Sequence, residues 1–208
     1  MIEELNLQNS SLVAEFQRIY EDSFPSEERR PFQELITDHH AGNYRMYVSF
    51  EKNKVQGIIS LFRPSNCKFV LLDYFAVHPE YRSKGMGSGL FKELIAECQK
   101  TGKILCLEVE QPLSDDAADD RWRRISFYRK GGAKVLTNYT YLLPDLDHSG
   151  VITKMYLMFA SGTTPVKMDR SELAMFIESI FIHLYKRNME NEQLKHNLRE
   201  LPTELILN

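Results

Sequence analysis

The sequence predicts a mixed α/β fold with one strand–helix–strand crossover near the middle of the chain. Three observations support this prediction. Two runs rich in β-forming residues, 44–50 and 55–62, are separated by the short polar segment EKNK, which is typical of a hairpin turn. Residues 68–77 (KFVLLDYFAV) are almost continuously apolar, as in a central strand covered on both faces. A helical pattern follows them directly, and a further apolar run occupies residues 104–110.

The N-terminal part is predicted to be helical. Leu12, Phe16, Ile19 and Tyr20 have helical spacing, and the two prolines of SFPSEERRPF then break the pattern before a second short helix. After the hairpin and the strand at 68–77, a helix is expected from Ser88 onward. Its apolar face is followed at the C-terminal end by Gly102, a residue type favoured at that position.

The second half continues with a strand at 104–110 and the acidic loop PLSDDAADD. Asp119 or Asp120 is expected to cap the following helix, RWRRISFYRK, which ends at Gly131 and Gly132. Two further strands are predicted at 139–143 and 152–159, and then a long helix from Asp169 to about residue 197. The apolar stripe of that helix consists of Leu173, Phe176, Ile177, Ile180, Phe181, Leu184 and Tyr185.

We expect one main α/β domain at residues 1–165 and a C-terminal helical extension at residues 166–208. The stripe on the extension must be covered, either by the rest of the chain or by a partner subunit, and a homodimer is one possible solution. No internal repeat or clear interdomain linker interrupts the 208 residues.

Composition restricts the classes of function. The net charge of −3 argues against a broad nucleic-acid-binding surface, which needs clustered Lys and Arg. Cys67, Cys98 and Cys106 are scattered and odd in number, so neither a disulfide framework nor a metal site is expected. The N-terminal residues do not resemble a signal peptide, and no apolar stretch is long enough to span a membrane. We therefore expect a soluble cytoplasmic protein without a metal ion.

The segment VHPEYRSKGMGSGL places Gly85, Gly87 and Gly89 at alternate positions between a predicted strand and a predicted helix. Such a loop exposes backbone N–H groups at the positive end of the helix, and Arg82 and Lys84 add positive charge. An anion, most naturally a phosphate, is the expected guest. Two phosphate-loop templates fail, because GxxxxGK[ST] is absent and the glycine spacing does not match GxGxxG.

At these residues the chain resembles the GCN5-related N-acetyltransferase (GNAT) family. RSKGMG, preceded by DYFAVHPEY, resembles the pyrophosphate loop of that family, which has the pattern [Q/R]xxGx[G/A]. LEVE at residues 107–110 resembles the next core strand, and RRISFYRKGGAKV resembles the helix that ends in FYxxxGF. The resemblance covers residues 68–136, with Gly132 and Ala133 in place of the usual Gly-Phe.

The resemblance implies a fold, an activity and a binding site. The fold is a mostly antiparallel sheet, flanked by helices, in which the parallel strands 68–77 and 104–110 splay apart. The activity is direct transfer of an acetyl group from acetyl-CoA to a primary amine within a ternary complex. Backbone groups of Phe75, Ala76 and Val77 would pair with the pantetheine arm. The pyrophosphate would bind the loop that Arg82 anchors, which consists of Ser83, Lys84, Gly85, Met86, Gly87 and Ser88.

The reaction needs a base, because only a neutral amine attacks the thioester. Deprotonating a lysine-like amine at pH 7 costs roughly 4.6 kcal/mol. Glu108 and Glu110 project from the same face of one predicted strand. The resemblance favours Glu108 as the base, although a water relay from either carboxylate is equally compatible. A structural pairing of Glu108 with Arg121, Arg123 or Arg124 is the simpler alternative.

Tyr128 matches the general acid of the family, which protonates or stabilises the leaving thiolate. The simpler alternative for Tyr128 is a packing role beside Phe127. The acceptor is not identified by the sequence, since a small amine, a polyamine, a peptide N-terminus and a lysine side chain all fit. Two rival functions also stay open: a non-catalytic sensor or interaction module that binds acyl-CoA, and an unrelated phosphate or nucleotide binder.

Overall fold

The structure, a computed structural model, describes residues 2–26, 28–51, 54–114, 116, 119–146, 150–162 and 168–208. The strands are β1 (Ile2–Glu4), β2 (Tyr44–Glu51), β3 (Lys54–Phe62), β4 (Phe69–Val77), β5 (Ile104–Glu110), β6 (Lys134–Val135), β7 (Tyr141–Leu142) and β8 (Lys154–Ala160). The α-helices are α1 (Ser10–Ser23), α2 (Phe32–Ala41), α3 (Met86–Lys100), α4 (Asp120–Lys130), α5 (Arg170–Ser179) and α6 (Glu192–Glu200). A 3₁₀ turn covers Pro79–Tyr81, and a π-helical turn covers Ile180–Leu184.

The eight strands within the described residues form one sheet in the order β1-β2-β3-β4-β5-β8-β6, with β7 also paired to β8. Only β4 and β5 are parallel in this sheet, and α3 makes the crossover between them. The other described pairings are antiparallel. The predicted mixed α/β fold, mostly antiparallel with one parallel pair, is therefore confirmed.

The parallel pair is joined along only part of its length. The ladder between β4 and β5 runs from Phe69–Ile104 to Leu72–Leu107 and stops there, although both strands continue. Opposite this point, the register between β3 and β4 shifts, because Ser60 pairs with Tyr74 while Leu61 pairs with Leu72. Asp73 is thus the extra residue of a β-bulge, a feature that bends a strand and increases its twist. The two strands separate where the bulge begins.

Each face of the sheet carries its own hydrophobic core. On one face, the larger core receives apolar side chains from α1, α2, α5, the π-helical turn and α6. On the other face, α3 and α4 cover the smaller core. Strand β5 alternates between them, since Ile104 and Cys106 belong to the larger core, whereas Leu105, Leu107 and Val109 belong to the smaller one. This alternation places Glu108 on the larger-core face.

The C-terminal part differs from the single long helix that the sequence predicted. Helix α5 passes into the π-helical turn, and the chain then breaks at Lys186, whose φ is 53°, before α6 begins. The predicted continuous helix to residue 197 is therefore wrong. Asp169 caps α5, as predicted. The side chain of Asn191 caps α6 and so starts a second helix, which the spacing of apolar residues does not reveal.

The apolar stripe of the C-terminal segment is buried within the chain itself. All seven of its residues belong to the larger core. The stripe therefore gives no reason to expect a homodimer, which stays a prediction. The expected boundary between residues 165 and 166 falls within 163–167, which lie outside the described residues.

Helix α6 is tied to the sheet through Asn197, which is fully buried. Its side-chain amide accepts a hydrogen bond from the Leu142 N–H at 2.8 Å and donates one to the Leu142 carbonyl at 2.9 Å. The Tyr139 hydroxyl donates to the Asn197 backbone carbonyl at 3.0 Å. The Asn197 side chain thus forms the hydrogen bonds with the N–H and carbonyl of Leu142 that a neighbouring strand would otherwise form.

Candidate active site

The glycine segment forms the turn that leads from β4 into α3. Ser83 and Gly85 both have positive φ, 62° and 77°, and α3 starts at Met86. The first bond of the helix joins the Gly89 N–H to the Gly85 carbonyl at 3.1 Å. The amides of Met86, Gly87 and Ser88 come before this bond and have no intrahelical acceptor, as in the first turn of any helix. These three N–H groups lie together at the N-terminus of α3, which is the positive end of the helix dipole.

Arg82 holds the loop against the end of β4. Its Nε donates to the Val77 carbonyl at 2.9 Å, and its Nη2 donates to the Ser23 hydroxyl at 3.2 Å. The Lys84 ammonium donates to the Glu80 carbonyl at 3.0 Å, so it is tied to the same loop. Both cations therefore shape the backbone of the loop as well as adding charge.

The space above the loop is open at Gly85 and Gly89. A Cβ built at either position would meet no atom within 4 Å. At Gly87, by contrast, a Cβ would point inward, 3.4 Å from a methyl group of Val77 and 3.6 Å from the Phe127 ring. Gly85 is thus required for its backbone conformation, whereas Gly87 lies where β4, α3 and α4 pack together.

The backbone of β4 has an unpaired edge beyond Leu72. The His78 N–H bonds to the Gln56 carbonyl at 2.8 Å, which makes Ala76 and His78 the residues that bond to β3. Phe75 and Val77 therefore direct their backbone groups to the opposite side, towards the gap beside β5. Of the three residues predicted to pair with a pantetheine arm, these two face the gap, although Arg82 already occupies the Val77 carbonyl.

Glu108 lies on the larger-core side of the same gap. Its Oε2 accepts a hydrogen bond from the Tyr185 hydroxyl, which is 77 residues away in the sequence. Its Oε1 is buried beside the equally buried Tyr141 hydroxyl, which interacts with the carboxylate although the two atoms do not meet in normal hydrogen-bond geometry. Burial raises the pKa of Glu108 to about 7, although the hydroxyls of Tyr141 and Tyr185 partly oppose the rise.

The two predicted carboxylates differ in their partners. Glu110 forms an ion pair with Arg121 at 2.8 Å, and Arg121 also contacts Asp119 at 3.3 Å. No Lys or Arg within the described part of the chain forms an ion pair with Glu108. The alternative in which Glu108 pairs with an arginine of α4 is therefore wrong for the described residues, because Arg121 takes Glu110 instead.

Asp73 is a third carboxylate at the gap, and the sequence analysis did not single it out. It accepts a hydrogen bond from the Tyr44 hydroxyl and lies 4.0 Å from the Arg30 guanidinium. Burial raises the pKa of Asp73 to about 6, and Arg30 opposes the rise. The one available signal was an acidic residue inside the apolar run FVLLDYFAV. A buried acid in such a run requires a partner or a function.

Tyr128 lies on α4, on the smaller-core side of the sheet. Its ring contacts Phe91 and Phe127, each with ring centroids 5.2 Å apart. Burial raises the pKa of Tyr128 to about 12. Its hydroxyl makes no hydrogen bond with any described residue. Tyr128 and Glu108 thus belong to opposite faces of the sheet.

One cavity lies apart from the gap. A cavity of about 530 Å³ extends between the start of α1, the β2–β3 hairpin and the 3₁₀ turn. Its lining contains none of the predicted site residues and carries charges of both signs, including Arg18 and Glu15.

Among the described residues, no group of three or more His, Cys, Asp or Glu side chains is arranged to hold a metal ion. Every helix in the described ranges is also too short or too polar to span a lipid bilayer.

Solved structures with this fold provide an independent comparison. A protein described as an acetyltransferase of the GNAT family from Bacteroides thetaiotaomicron has a TM-score of 0.74 and 22% identity, over 90% of this chain and 99% of that chain. An aminoglycoside 6'-N-acetyltransferase complexed with coenzyme A has a TM-score of 0.60 and 15% identity, over 80% and 99%. A ribosomal-protein alanine N-acetyltransferase from Escherichia coli has a TM-score of 0.51 and 19% identity, over 81% and 97%.

At these levels of identity the solved structures show a common fold. None of the curated proteins compared matches the sequence. Residues 11–131, more than half of the chain, match the family described as the acetyltransferase (GNAT) family. The predicted resemblance is confirmed, and the chain belongs to the GNAT family of acetyltransferases.

Proposed function

We propose that the protein is an N-acetyltransferase that moves an acetyl group from acetyl-CoA to a primary amine by direct attack in a ternary complex. The observation that carries the proposal is the separation of β4 from β5, which leaves an unpaired strand edge continuous with the donor-rich start of α3. An extended thioester substrate with a diphosphate at one end matches both features. The solved relative complexed with coenzyme A supports this choice of substrate.

The chain fits acetyl-CoA at two places. The amides from Lys84 to Ser88 would bind the diphosphate, because helix N-termini with open space above them favour anions. The backbone of Phe75 and Val77 would pair with the amide groups of the pantetheine arm, as a strand pairs with its neighbour. Such pairing would lead the thioester into the gap, with Glu108 on one face of the sheet and Tyr128 proposed to reach the sulfur from the other face.

Glu108 is the best candidate for the base among the three carboxylates at the gap. Glu110 forms an ion pair with Arg121. Asp73 lies near the Arg30 guanidinium and accepts a hydrogen bond from the Tyr44 hydroxyl. Glu108 is buried beside tyrosine hydroxyls, has no ion-pair partner among the described residues and has a pKa of about 7. A base is most effective when its pKa lies near the working pH, because it is then both deprotonated and basic enough.

Tyr128 is proposed to stabilise the leaving thiolate. A phenol with a pKa of about 12 is a weaker acid than an ordinary tyrosine, so early proton transfer to a thiolate is unfavourable. A hydrogen bond from the hydroxyl to the developing sulfur anion, with late proton transfer, fits this pKa better. The proposal specifies the acceptor only as a primary amine. A cytoplasmic location stays a prediction.

The overall proposal is tested by thiol release from acetyl-CoA in the presence of different amines. The panel contains a diamine, a polyamine, an aminoglycoside, a peptide with a free N-terminal alanine and a lysine peptide blocked at its N-terminus. We expect at least one amine to stimulate thiol release and to become acetylated, as detected by mass spectrometry. Tight binding of acetyl-CoA with no stimulation by any amine would favour the sensor function, and no binding at all would refute the proposal.

The glycine loop is tested by Gly85→Ala, with Gly89→Ala as its control. A Cβ at the positive φ of Gly85 costs about 1–2 kcal/mol and distorts the loop, so the KM for acetyl-CoA should rise about tenfold with little change in kcat. Gly89 has helical backbone geometry and open space, so alanine there should change the KM no more than about twofold. Equal KM values for the two variants would argue against diphosphate binding by this loop.

The base is tested by Glu108→Gln, with Glu110→Gln as its control. Glu108 acts as a base only when deprotonated, so wild-type kcat/KM should rise with pH through about 7 and level off above it. Glutamine at 108 should remove this rise and lower kcat/KM at pH 8 by about 100-fold. The Glu110 variant should retain the rise. Loss of the rise in the Glu110 variant alone would transfer the role of base to Glu110.

The thiolate side is tested by Tyr128→Phe, with Tyr156→Phe as a control from the same core. Phenylalanine at 128 keeps the ring packing but removes the hydroxyl, so kcat should fall by about 100-fold while the KM for acetyl-CoA stays nearly constant. The Tyr156 variant should resemble the wild type in both constants. Unchanged kcat in the Tyr128 variant would show that the residue serves only for packing.

A further inference from the structure

The C-terminal segment delivers one side chain to the gap between β4 and β5. After α5, the residues Ile180–Leu184 form a π-helical turn, and the Tyr185 N–H bonds to the Ile180 carbonyl at 3.0 Å. A π-turn contains an additional residue, so it changes the direction of the side chains that follow. Tyr185 at its end is only 9% exposed and points to Glu108. The segment lies outside residues 11–131, the part that matches the family.

The turn is held on both sides of Tyr185. On its C-terminal side, the Lys186 ammonium forms an ion pair with Asp38 of α2 at 2.8 Å, and the Arg187 guanidinium donates to the Asp145 carbonyl at 2.6 Å. On its N-terminal side, the Phe181 ring packs edge-on against the Tyr185 ring, with centroids 6.1 Å apart. Phe181 also packs edge-on against Tyr141. These contacts restrict the Tyr185 ring before any hydrogen bond forms.

The two oxygens of Glu108 are consequently not equivalent. The Tyr185 hydroxyl donates to Oε2, whereas Oε1 is buried and has only the poorly aligned Tyr141 hydroxyl beside it among the described residues. The Tyr141 hydroxyl lies beside the carboxylate, but it does not reach Oε1 with normal hydrogen-bond geometry. Buried carboxylate oxygens are nearly always hydrogen-bonded, so Oε1 is the oxygen that can take a further donor from a water molecule or a substrate group. An amine can bridge Oε1 and the Tyr141 hydroxyl, because it donates to the first and accepts from the second.

We propose that Tyr185 is a positioning residue for Glu108: its hydroxyl fixes Oε2, so that Oε1 is directed at the acceptor amine. The inference rests on the proposed function, in which Glu108 is the base. It adds a part of the site that lies in the C-terminal segment. The proton of the attacking amine passes to Oε1, directly or through one water molecule, while Tyr185 keeps its own proton and donates to Oε2 throughout.

The hydrogen bond also affects the protonation of Glu108. The groups that face the carboxylate are Tyr185 from the C-terminal segment, Tyr141 from β7, Asp73 from β4 and Cys106 on its own strand. Burial is the main cause of the raised pKa of Glu108, and the negative charge of Asp73 adds to it. The Tyr185 hydroxyl favours the ionised carboxylate and lowers the pKa. Removing this hydroxyl must therefore raise the pKa of Glu108.

The test compares Tyr185→Phe with Tyr139→Phe in the full-length protein. Both variants lose one buried phenol hydroxyl beside the C-terminal segment, but the Tyr139 hydroxyl bonds to the Asn197 carbonyl and not to Glu108. The Glu108 carboxyl is titrated by carbon NMR in protein labelled with ¹³C at the glutamate carboxyl, and Glu108→Gln identifies its signal. The pH profile of kcat/KM is measured in parallel.

We expect Glu108 to titrate near pH 7 in the wild type. In Tyr185→Phe the midpoint should rise by about one pH unit, and the acid limb of kcat/KM should move in the same direction. Tyr139→Phe should leave both unchanged. As a second variant that preserves the fold, 3-fluorotyrosine at position 185 is a more acidic donor and should move the midpoint in the opposite direction.

The inference is overturned if the midpoint stays in place in Tyr185→Phe, or if Tyr139→Phe moves it equally. An acid limb that does not follow the midpoint also overturns it, since Tyr185 would then hold a carboxylate that does not act as the base. These results differ from a failure of the proposed function, in which the wild type releases no thiol with any amine. The NMR midpoint would then still decide whether Tyr185 holds Glu108.

Discussion

The separation of β4 from β5 after the Leu72–Leu107 pair is the constraint on which the candidate site depends. Parallel strands normally satisfy each other's backbone groups along their whole common length. Here the bulge at Asp73 redirects β4, so both strands continue without pairing to each other. The backbone edge that this exposes is polar, and in the proposed function an extended thioester substrate pairs with it.

The three acidic residues at the gap show how environment distinguishes groups of the same chemistry. Glu110 forms an ion pair with Arg121. Asp73 belongs to a buried network with Arg30 and Tyr44, which links the bulge to the chain before α2. Glu108 has hydroxyl neighbours and no ion-pair partner among the described residues, so burial dominates its protonation. A buried carboxylate without an ion-pair partner has a raised pKa and therefore accepts a proton most readily near neutral pH.

The C-terminal segment has a larger role than a covering helix. Its apolar residues complete the larger core, and its π-helical turn places Tyr185 against Glu108. The ion pair between Lys186 and Asp38 joins the same turn to α2, whose Asp38 also contacts Arg30. The polar groups on the larger-core side of the gap are thus connected through elements from both ends of the chain. Such a network holds its members in fixed positions because each partner restricts the next.

The sequence by itself determined the order of most elements, the glycine loop and the family. These features depend on residues close together in the chain, because periodicity, helix caps and positive-φ glycines act over a few positions. It did not reveal the short strands β1 and β6 or the break before α6. Short strands have too little periodicity to detect, and the break follows a turn in which Lys186 takes a positive φ.

Only the tertiary structure decided which carboxylate lacks an ion-pair partner and which residues surround it. Glu108 and Glu110 lie two positions apart on one strand and project from the same face, yet in the fold Arg121 forms an ion pair with Glu110 and not with Glu108. Tyr185 approaches Glu108 from 77 residues away, and the bulge at Asp73 arises from pairing with another strand. Burial and charge depend on contacts between distant segments, and so the chemistry of the site follows from packing that no local pattern encodes.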